Sequence, residues 1–216
     1  MTRCAAISRR LKEGVEALEK NDRALEAFRF ANRAMARQRI RSIYALRRRR
    51  GDKVALADFD KPGNRSWRPF QLAFILLSIP ALADPKHRDR TQSFEAFADL
   101  LWFPTGGGKT EAYLGLIAFL IVWRRLANPA SGGGTTVLMR YTLRLLTAQQ
   151  FARATRMICA LELIRRSAPK LKNGASITIG MWVGSATSPN RFQDSMNIVS
   201  QANNGNAGVL RSLVLE

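Results

Sequence analysis

Cysteine and histidine are almost absent from the sequence. Its 216 residues include two cysteines, Cys4 and Cys159, and a single histidine, His87. These residues form no Cys-x-x-Cys pair and no Cys/His cluster, which argues against a zinc-type site and against a disulfide framework. Unpaired cysteines are typical of a reducing compartment, so we expect a cytoplasmic protein.

Long hydrophobic runs are also lacking. The most apolar stretches are residues 72–83, which Pro80 interrupts, and residues 112–123. Both are shorter than the ~20 residues that a bilayer crossing needs. The first residues lead into a charged segment without the apolar core of a signal peptide. The sequence therefore predicts two core segments and no membrane partner.

Acidic residues are scarce, at 16 Asp and Glu against 35 Lys and Arg, which gives a net charge of +19. A charge of this size and sign favours a polyanionic partner, which is a nucleic acid, an anionic membrane or an acidic protein. Alternatively, an acidic remainder of a longer protein balances it. The 46% hydrophobic content excludes a disordered chain.

The first 50 residues have the pattern of a basic helical region. Apolar residues recur there at spacings near three, four and seven. Nine arginines and no carboxylate lie between residues 29 and 50, and four of the nine fall on one helical face: Arg29, Arg33, Arg37 and Arg41. This face is interpreted either as a phosphate-tracking surface or as a solvated helix that docks on an acidic partner domain.

The rest of the chain predicts an α/β domain. Residues 51–67 have the turn composition of a linker, and an apolar helix follows from residue 68. Strands are then expected at residues 100–103, 135–141 and 176–183, and helices at residues 109–126 and 142–167. This β-α-β-α-β order implies a parallel sheet covered on both faces. The predicted organisation is a helical region over 1–50, a linker over 51–67 and a partial P-loop NTPase domain over 68–216.

A glycine-rich loop stands between the first predicted strand and its helix: Pro104-Thr105-Gly106-Gly107-Gly108-Lys109-Thr110. Glycines allow backbone N–H groups to converge on phosphate oxygens, and the following helix points its positive end at them. Lys109 would reach the β- and γ-phosphates of ATP, and the Thr110 hydroxyl would coordinate Mg²⁺. The first position of the usual pattern is Phe103 rather than glycine.

The string from Pro104 to Glu111 resembles motif I of the superfamily 2 helicases. Within that superfamily, residues 27–35, 101–115 and 137–150 most resemble the helicase-domain protein of the DISARM phage-defence system. The resemblance implies a RecA-like domain that binds ATP and Mg²⁺ through Thr105, Gly106, Gly107, Gly108, Lys109, Thr110 and Glu111. It also implies DNA, the remaining helicase domains and other defence-system subunits as partners.

Gln71 has two interpretations. With Phe70 it resembles the Q-motif that recognises adenine in superfamily 2, because a glutamine amide both donates and accepts hydrogen bonds. Its separation from the glycine-rich loop is longer than expected for that motif. Alternatively, Gln71 is a polar residue that opens a helix.

The segment after the second predicted strand corresponds in position to motif Ia. Arg140, Thr142 and Arg144 are candidates to contact DNA phosphates there, since open parallel sheets bind ligands at the carboxyl ends of their strands. A helix start alone would also explain the threonine.

The sequence has no two adjacent acidic residues. ATP hydrolysis in this superfamily needs an Asp-Glu pair at a strand end to hold Mg²⁺ and polarise water. We therefore expect a helicase or translocase fragment that ends before motif II and is inactive alone. The alternatives are a non-catalytic basic nucleic-acid-binding module with a vestigial P-loop, and a P-loop ATPase without a nucleic-acid role.

Overall fold

The computed structural model describes residues 3–91, 99–104, 106–141, 144–181 and 191–206, with residues 144–147 described through their backbone alone. Eight α-helices and one short 3₁₀ helix, η1, lie within this part of the chain. They are α1 (Arg3–Glu19), α2 (Asp22–Arg49), η1 (Leu56–Phe59), α3 (Pro62–Arg65), α4 (Pro69–Ala83), α5 (Arg88–Thr91), α6 (Lys109–Ala127), α7 (Arg144–Ser167) and α8 (Phe192–Asn203).

The prediction of a parallel sheet is wrong. Every regular element in the described residues is a helix, and none is a strand. Residues 100–103 and 135–141 lack regular structure and expose several apolar side chains, with Leu100 87%, Trp102 85% and Leu138 82% exposed. A strand exists only when its N–H and C=O groups pair with a neighbouring strand. These apolar segments have no such partner among the described residues, so the RecA-like fold is not observed.

The chain divides into two compact units. One comprises Met1–Arg140 and Ala152–Ile177, and the other comprises Tyr141–Phe151 and Thr178–Glu216. The first unit holds helices α1 to α6 and most of α7. The described residues of the second unit include the start of α7 and all of α8, whose Phe192 is 80% exposed.

The helical region predicted over the first 50 residues consists of two helices, α1 and α2. Asn21 separates them, because its Oδ1 accepts hydrogen bonds from the N–H groups of Arg23 and Ala24 at 3.1 Å each. This side chain satisfies donors at the start of α2 that have no partner within the helix. The result is a new helix start at Asp22.

Helices α2 and α6 pack against each other and form the core of the first unit. The contact face of α2 carries small buried residues, among them Ala24, Ala27, Ala31 and Ala34. Opposite them, α6 buries Phe119 and Val122 completely. Small side chains on one helix allow the larger side chains of the other to fill the interface. The prediction that residues 112–123 form a core segment is confirmed.

Helices α1 and α4 approach each other closely at Gly14. A Cβ atom on Gly14 would stand 2.2 Å from the Leu76 carbonyl oxygen. That carbonyl lies four residues before Pro80, which has no N–H to donate to it. The proline inside α4 thus leaves a backbone oxygen available, and α1 packs its glycine directly against it.

The segment after α7 is tied to α6 and α7 by two buried arginines. Arg125 of α6 donates to the carbonyls of Ala175 and Ser176 at 3.2–3.4 Å. Burial lowers the pKa of its guanidinium. Arg165 donates to the carbonyls of Leu171, Lys172 and Gly174. These bonds hold residues 168–177 against the helices without a strand.

Over the described residues, none of the helices combines the length and the apolar character that a bilayer crossing requires.

Candidate nucleotide-binding site

The glycine-rich loop turns directly into the start of α6. Gly106 and Gly108 have φ angles of 81° and 93°, which side-chain-bearing residues rarely adopt. The Gly107 N–H donates to the Pro104 carbonyl at 3.1 Å and closes the turn. Gly108 is the residue before the helix and offers no side chain to the first-turn N–H groups. Those groups, and the positive end of a 19-residue helix, face the loop.

Lys109 folds back over this loop. Its ammonium donates to the Phe103 carbonyl in a short hydrogen bond and contacts the Pro104 carbonyl at 3.4 Å. The positive charge of Lys109 therefore lies against the two carbonyls that precede the loop. Neutral carbonyls are weaker partners for an ammonium than a phosphate would be.

Three side chains at the start of α4 contact the loop. Arg68 donates to the Gly107 carbonyl at 2.7 Å, and the Gln71 Nε2 group donates to the Gly108 carbonyl at 2.8 Å. The Phe70 and Phe103 rings stack with centroids 4.0 Å apart. These contacts fix the backbone of Gly107 and Gly108 from outside the loop.

Gln71 is 5% exposed, and its amide oxygen accepts the Arg68 N–H at 2.9 Å. This places the side chain beside the loop, where its amide bridges the first turn of α4 and the Gly108 carbonyl. The oxygen and the nitrogen of this amide are both engaged within the chain, as the helix-opening interpretation expects, and adenine recognition stays a prediction. The contact with Gly108 adds a third role, since it positions the loop.

Glu111 in the first turn of α6 is held by two distant elements. Arg153 of α7 forms a short ion pair with its Oε1, and Gln38 of α2 donates to its Oε2 at 3.1 Å. The side chain of Glu111 is 19% exposed. The residue next to Thr110 is therefore fixed by α2 and α7 together.

The structure brings Gln71, Gly106, Gly107, Gly108, Lys109, Thr110 and Glu111 to one place around the start of α6. Thr105 and Thr142 lie outside the described residues, as does the side chain of Arg144, the first residue of α7. Arg140 is exposed in the irregular segment after α6.

Sequence reasoning missed Arg68, Gln38 and Arg153. Arg68 precedes Pro69, which marks a helix start, and that signal could have identified it as a residue at the end of an element. Gln38 and Arg153 lie 73 and 42 residues from Glu111, and no local pattern joins them.

Comparison with known proteins identifies a protein of similar sequence. No protein-family model matches the chain. The chain is 43% identical over 199 residues to the DISARM protein DrmA of Bacillus paralicheniformis, and the match covers 88% of the chain. The resemblance to the DISARM protein is thereby confirmed. The chain spans 17% of the length of that relative.

Proposed function

We propose that this chain is the ATP-binding part of a DISARM-type phage-defence protein that acts on DNA as a helicase or translocase. The observation that carries the proposal is the glycine-rich turn at the start of α6, with the Lys109 ammonium folded over it. The similarity to the DISARM protein DrmA supports the defence context.

Each site residue has a proposed role. Backbone N–H groups of Thr105, Gly106, Gly107 and Gly108 bind phosphate oxygens, and Lys109 exchanges its carbonyl partners for the β- and γ-phosphates. Thr110 supplies a hydroxyl to the Mg²⁺ that accompanies ATP. Arg140, Thr142 and Arg144 contact the DNA backbone, and other defence-system subunits are proposed as partners.

The 216 residues bind nucleotide without hydrolysing it. No adjacent acidic pair is available to hold Mg²⁺ and orient water. A second argument concerns Glu111, because its carboxylate is already engaged by Arg153 and Gln38. Phosphate release from ATP should therefore stay at the background rate.

Titration of a fluorescent ATP analogue with Mg²⁺ tests the proposal. Lys109→Ala should weaken binding at least about tenfold, because it removes a charge-assisted bond to phosphate. Lys53→Ala is the matched control, since Lys53 is exposed in the segment after α2. Equal affinity of the two variants and the original chain would contradict the proposal.

A second candidate is a non-catalytic basic module with a vestigial loop, and the same titration together with a DNA-binding measurement decides between the two. The net charge of +19 and the carbonyl contacts of Lys109 favour it. In that case nucleotide binding is absent or unaffected by Lys109→Ala, while DNA binding persists. A P-loop ATPase without a nucleic-acid role would show the reverse pattern.

A further inference from the structure

The side chain of Gln71 is engaged at both ends within the chain. Its amide nitrogen donates to the Gly108 carbonyl at 2.8 Å, and its amide oxygen accepts the N–H of Arg68 at 2.9 Å. Only 5% of the residue is exposed. A base that used this amide would have to enter the contact between α4 and the loop and compete with two hydrogen bonds of good length.

Gly108 makes room for this contact. A Cβ atom at Gly108 would stand 2.8 Å from the Gln71 nitrogen, and the φ angle of 93° disfavours any side chain there. The last glycine of the loop therefore serves the approach of α4 as well as the turn. The fit between the two elements leaves the Gln71 amide enclosed between them.

The contacts from α4 also set the direction of the loop amides. Arg68 donates to the Gly107 carbonyl, and Gln71 donates to the Gly108 carbonyl. Both peptide bonds are trans, and the C=O and N–H of a trans peptide point in opposite directions. The N–H groups of these two peptide units belong to Gly108 and Lys109, so they point away from α4. A phosphate on that side of the loop would meet both donors already oriented.

We propose that the site recognises the triphosphate and not the base. In this inference, which rests on the proposed function, Arg68 and Gln71 are positioning residues. They orient the N–H groups of Gly108 and Lys109 towards phosphate, and the Gln71 amide does not contact the base. The substrate class is then nucleoside triphosphates in general, of which ATP is one.

Adenine recognition by Gln71 is the competing assignment. It requires the amide to turn away from Gly108, which would break the bond that orients the loop. The aromatic surface next to the loop is the stacked pair of Phe70 and Phe103, and Phe103 is 38% exposed. Aromatic faces stack on every base, so this surface does not distinguish adenine from the other three.

Competition against the fluorescent ATP analogue tests the inference on the 216-residue chain with Mg²⁺. The competitors are ATP, GTP, CTP, UTP and inorganic tripolyphosphate, which has no base. We expect the four nucleotides to bind within about threefold of one another. Gln71→Ala should weaken all five competitors by a similar factor, about three- to tenfold, because it removes one hydrogen bond that orients the loop. Adenine recognition would instead give a loss for ATP alone.

Arg68 supplies a second arm with its own rescue. Arg68→Ala should weaken the same five competitors by about three- to tenfold, and Arg68→Lys, which keeps a cationic donor for the Gly107 carbonyl, should restore most of the affinity. Arg65→Ala is the matched control, because it removes an exposed arginine whose guanidinium pairs with Asp60. It should leave all five affinities unchanged. Circular dichroism verifies that all variants are folded.

The outcomes separate this inference from the proposed function. Binding that Lys109→Ala does not weaken would contradict both. Binding that depends on Lys109 but favours ATP over the other nucleotides by more than about threefold would leave the proposed function intact and overturn this inference. Unchanged affinity for tripolyphosphate in Gln71→Ala and Arg68→Ala would also overturn it, as would a failure of Arg68→Lys to restore binding.

Discussion

At the scale of single residues, Lys109 is the side chain on which the proposed phosphate binding depends. Its ammonium donates to the carbonyls of Phe103 and Pro104. Those carbonyls satisfy the cation, while Arg68 and Gln71 hold the loop backbone from the other side. Binding ATP would then require a rotation of one side chain rather than folding of the loop, which keeps the entropic cost of binding low.

Glu162 gives a prediction about acid stability. Its carboxylate accepts hydrogen bonds from Arg165 at 2.6 and 2.8 Å, from Arg166 at 3.0 Å and from the Ile177 N–H at 3.0 Å. Arg165 is the main cause that lowers the pKa of Glu162 to about 2 from its usual 4.5. A carboxyl with a depressed pKa in the folded state stabilises above its unfolded pKa and loses this contribution as the pH falls towards 2.

We therefore expect Glu162→Gln to lower the free energy of unfolding by about 2 kcal/mol at pH 7, after allowance for solvent screening around Arg166. The difference from the original chain should shrink as the pH falls from 5 to 2.5, as measured by urea unfolding. Glu19→Gln, at the exposed end of α1, is the control for loss of one carboxylate. A constant gap for Glu162→Gln would contradict the assignment.

At the scale of elements, α2 connects two features that are far apart in the sequence. Its buried face carries Gln38, which donates to Glu111 beside the glycine-rich loop. Its outer face carries four exposed arginines, Arg29, Arg33, Arg37 and Arg41. Trp67, just before α4, is also tied to α2, since its Nε1–H donates to Asn32 at 2.8 Å. Any displacement of α2 would thus reach both α4 and α6, whose first turns form the candidate site.

The contact between α1 and α4 gives a second prediction. Gly14→Ala would place a methyl group 2.2 Å from the Leu76 carbonyl oxygen, and a backbone atom cannot move aside cheaply. Overpacking of this kind costs about 1–3 kcal/mol, so the thermal midpoint should fall by several degrees.

Gly63→Ala is the control for this clash, because nothing lies within 4 Å of a Cβ at Gly63 in α3. Alanine is the better helix former, so this variant should be neutral or slightly more stable. If both variants unfold at the same temperature, the close approach of α1 and α4 is incorrect.

The helices were predictable from the sequence because their signals are local. The spacing of apolar residues and the glycine turn place a helix from residue 109 to about 126, and α6 is Lys109–Ala127. The apolar helix after residue 68 is likewise confirmed as α4. Strands, unlike helices, depend on pairing with residues elsewhere in the chain. Residues 100–103 and 135–141 are apolar enough for a sheet, but their sequence does not say which segments would pair with them. Sequence pattern supplies the apolar character and not the pairing.

The same distinction holds for the site. The loop, Lys109 and Gln71 could be identified from a contiguous motif and a helix start, and the structure brings them together. Glu111 is held by a hydrogen bond from Gln38 and an ion pair with Arg153. Both contacts depend on how α2, α6 and α7 pack, which only the folded chain reveals. The residues of the glycine-rich loop were thus visible in the sequence, and the residues that position them were not.

At the scale of the whole molecule, the net charge of +19 makes stability depend on salt. Like charges repel in the compact state, and this repulsion is screened when the Debye length shortens to about 8 Å at 0.15 M salt. We expect the free energy of unfolding to rise by about 1 kcal/mol between 20 and 300 mM NaCl, or roughly 2–4 °C in the thermal midpoint for a chain of this size. Lys53→Glu/Lys172→Glu lowers the net charge by four, from +19 to +15, and should give a smaller rise in the free energy of unfolding.

Local ion pairs such as Arg165 with Glu162 act in the opposite direction, because salt weakens them. A midpoint that falls with salt would mean that these pairs, and not the excess of arginine, dominate the electrostatics of the folded chain.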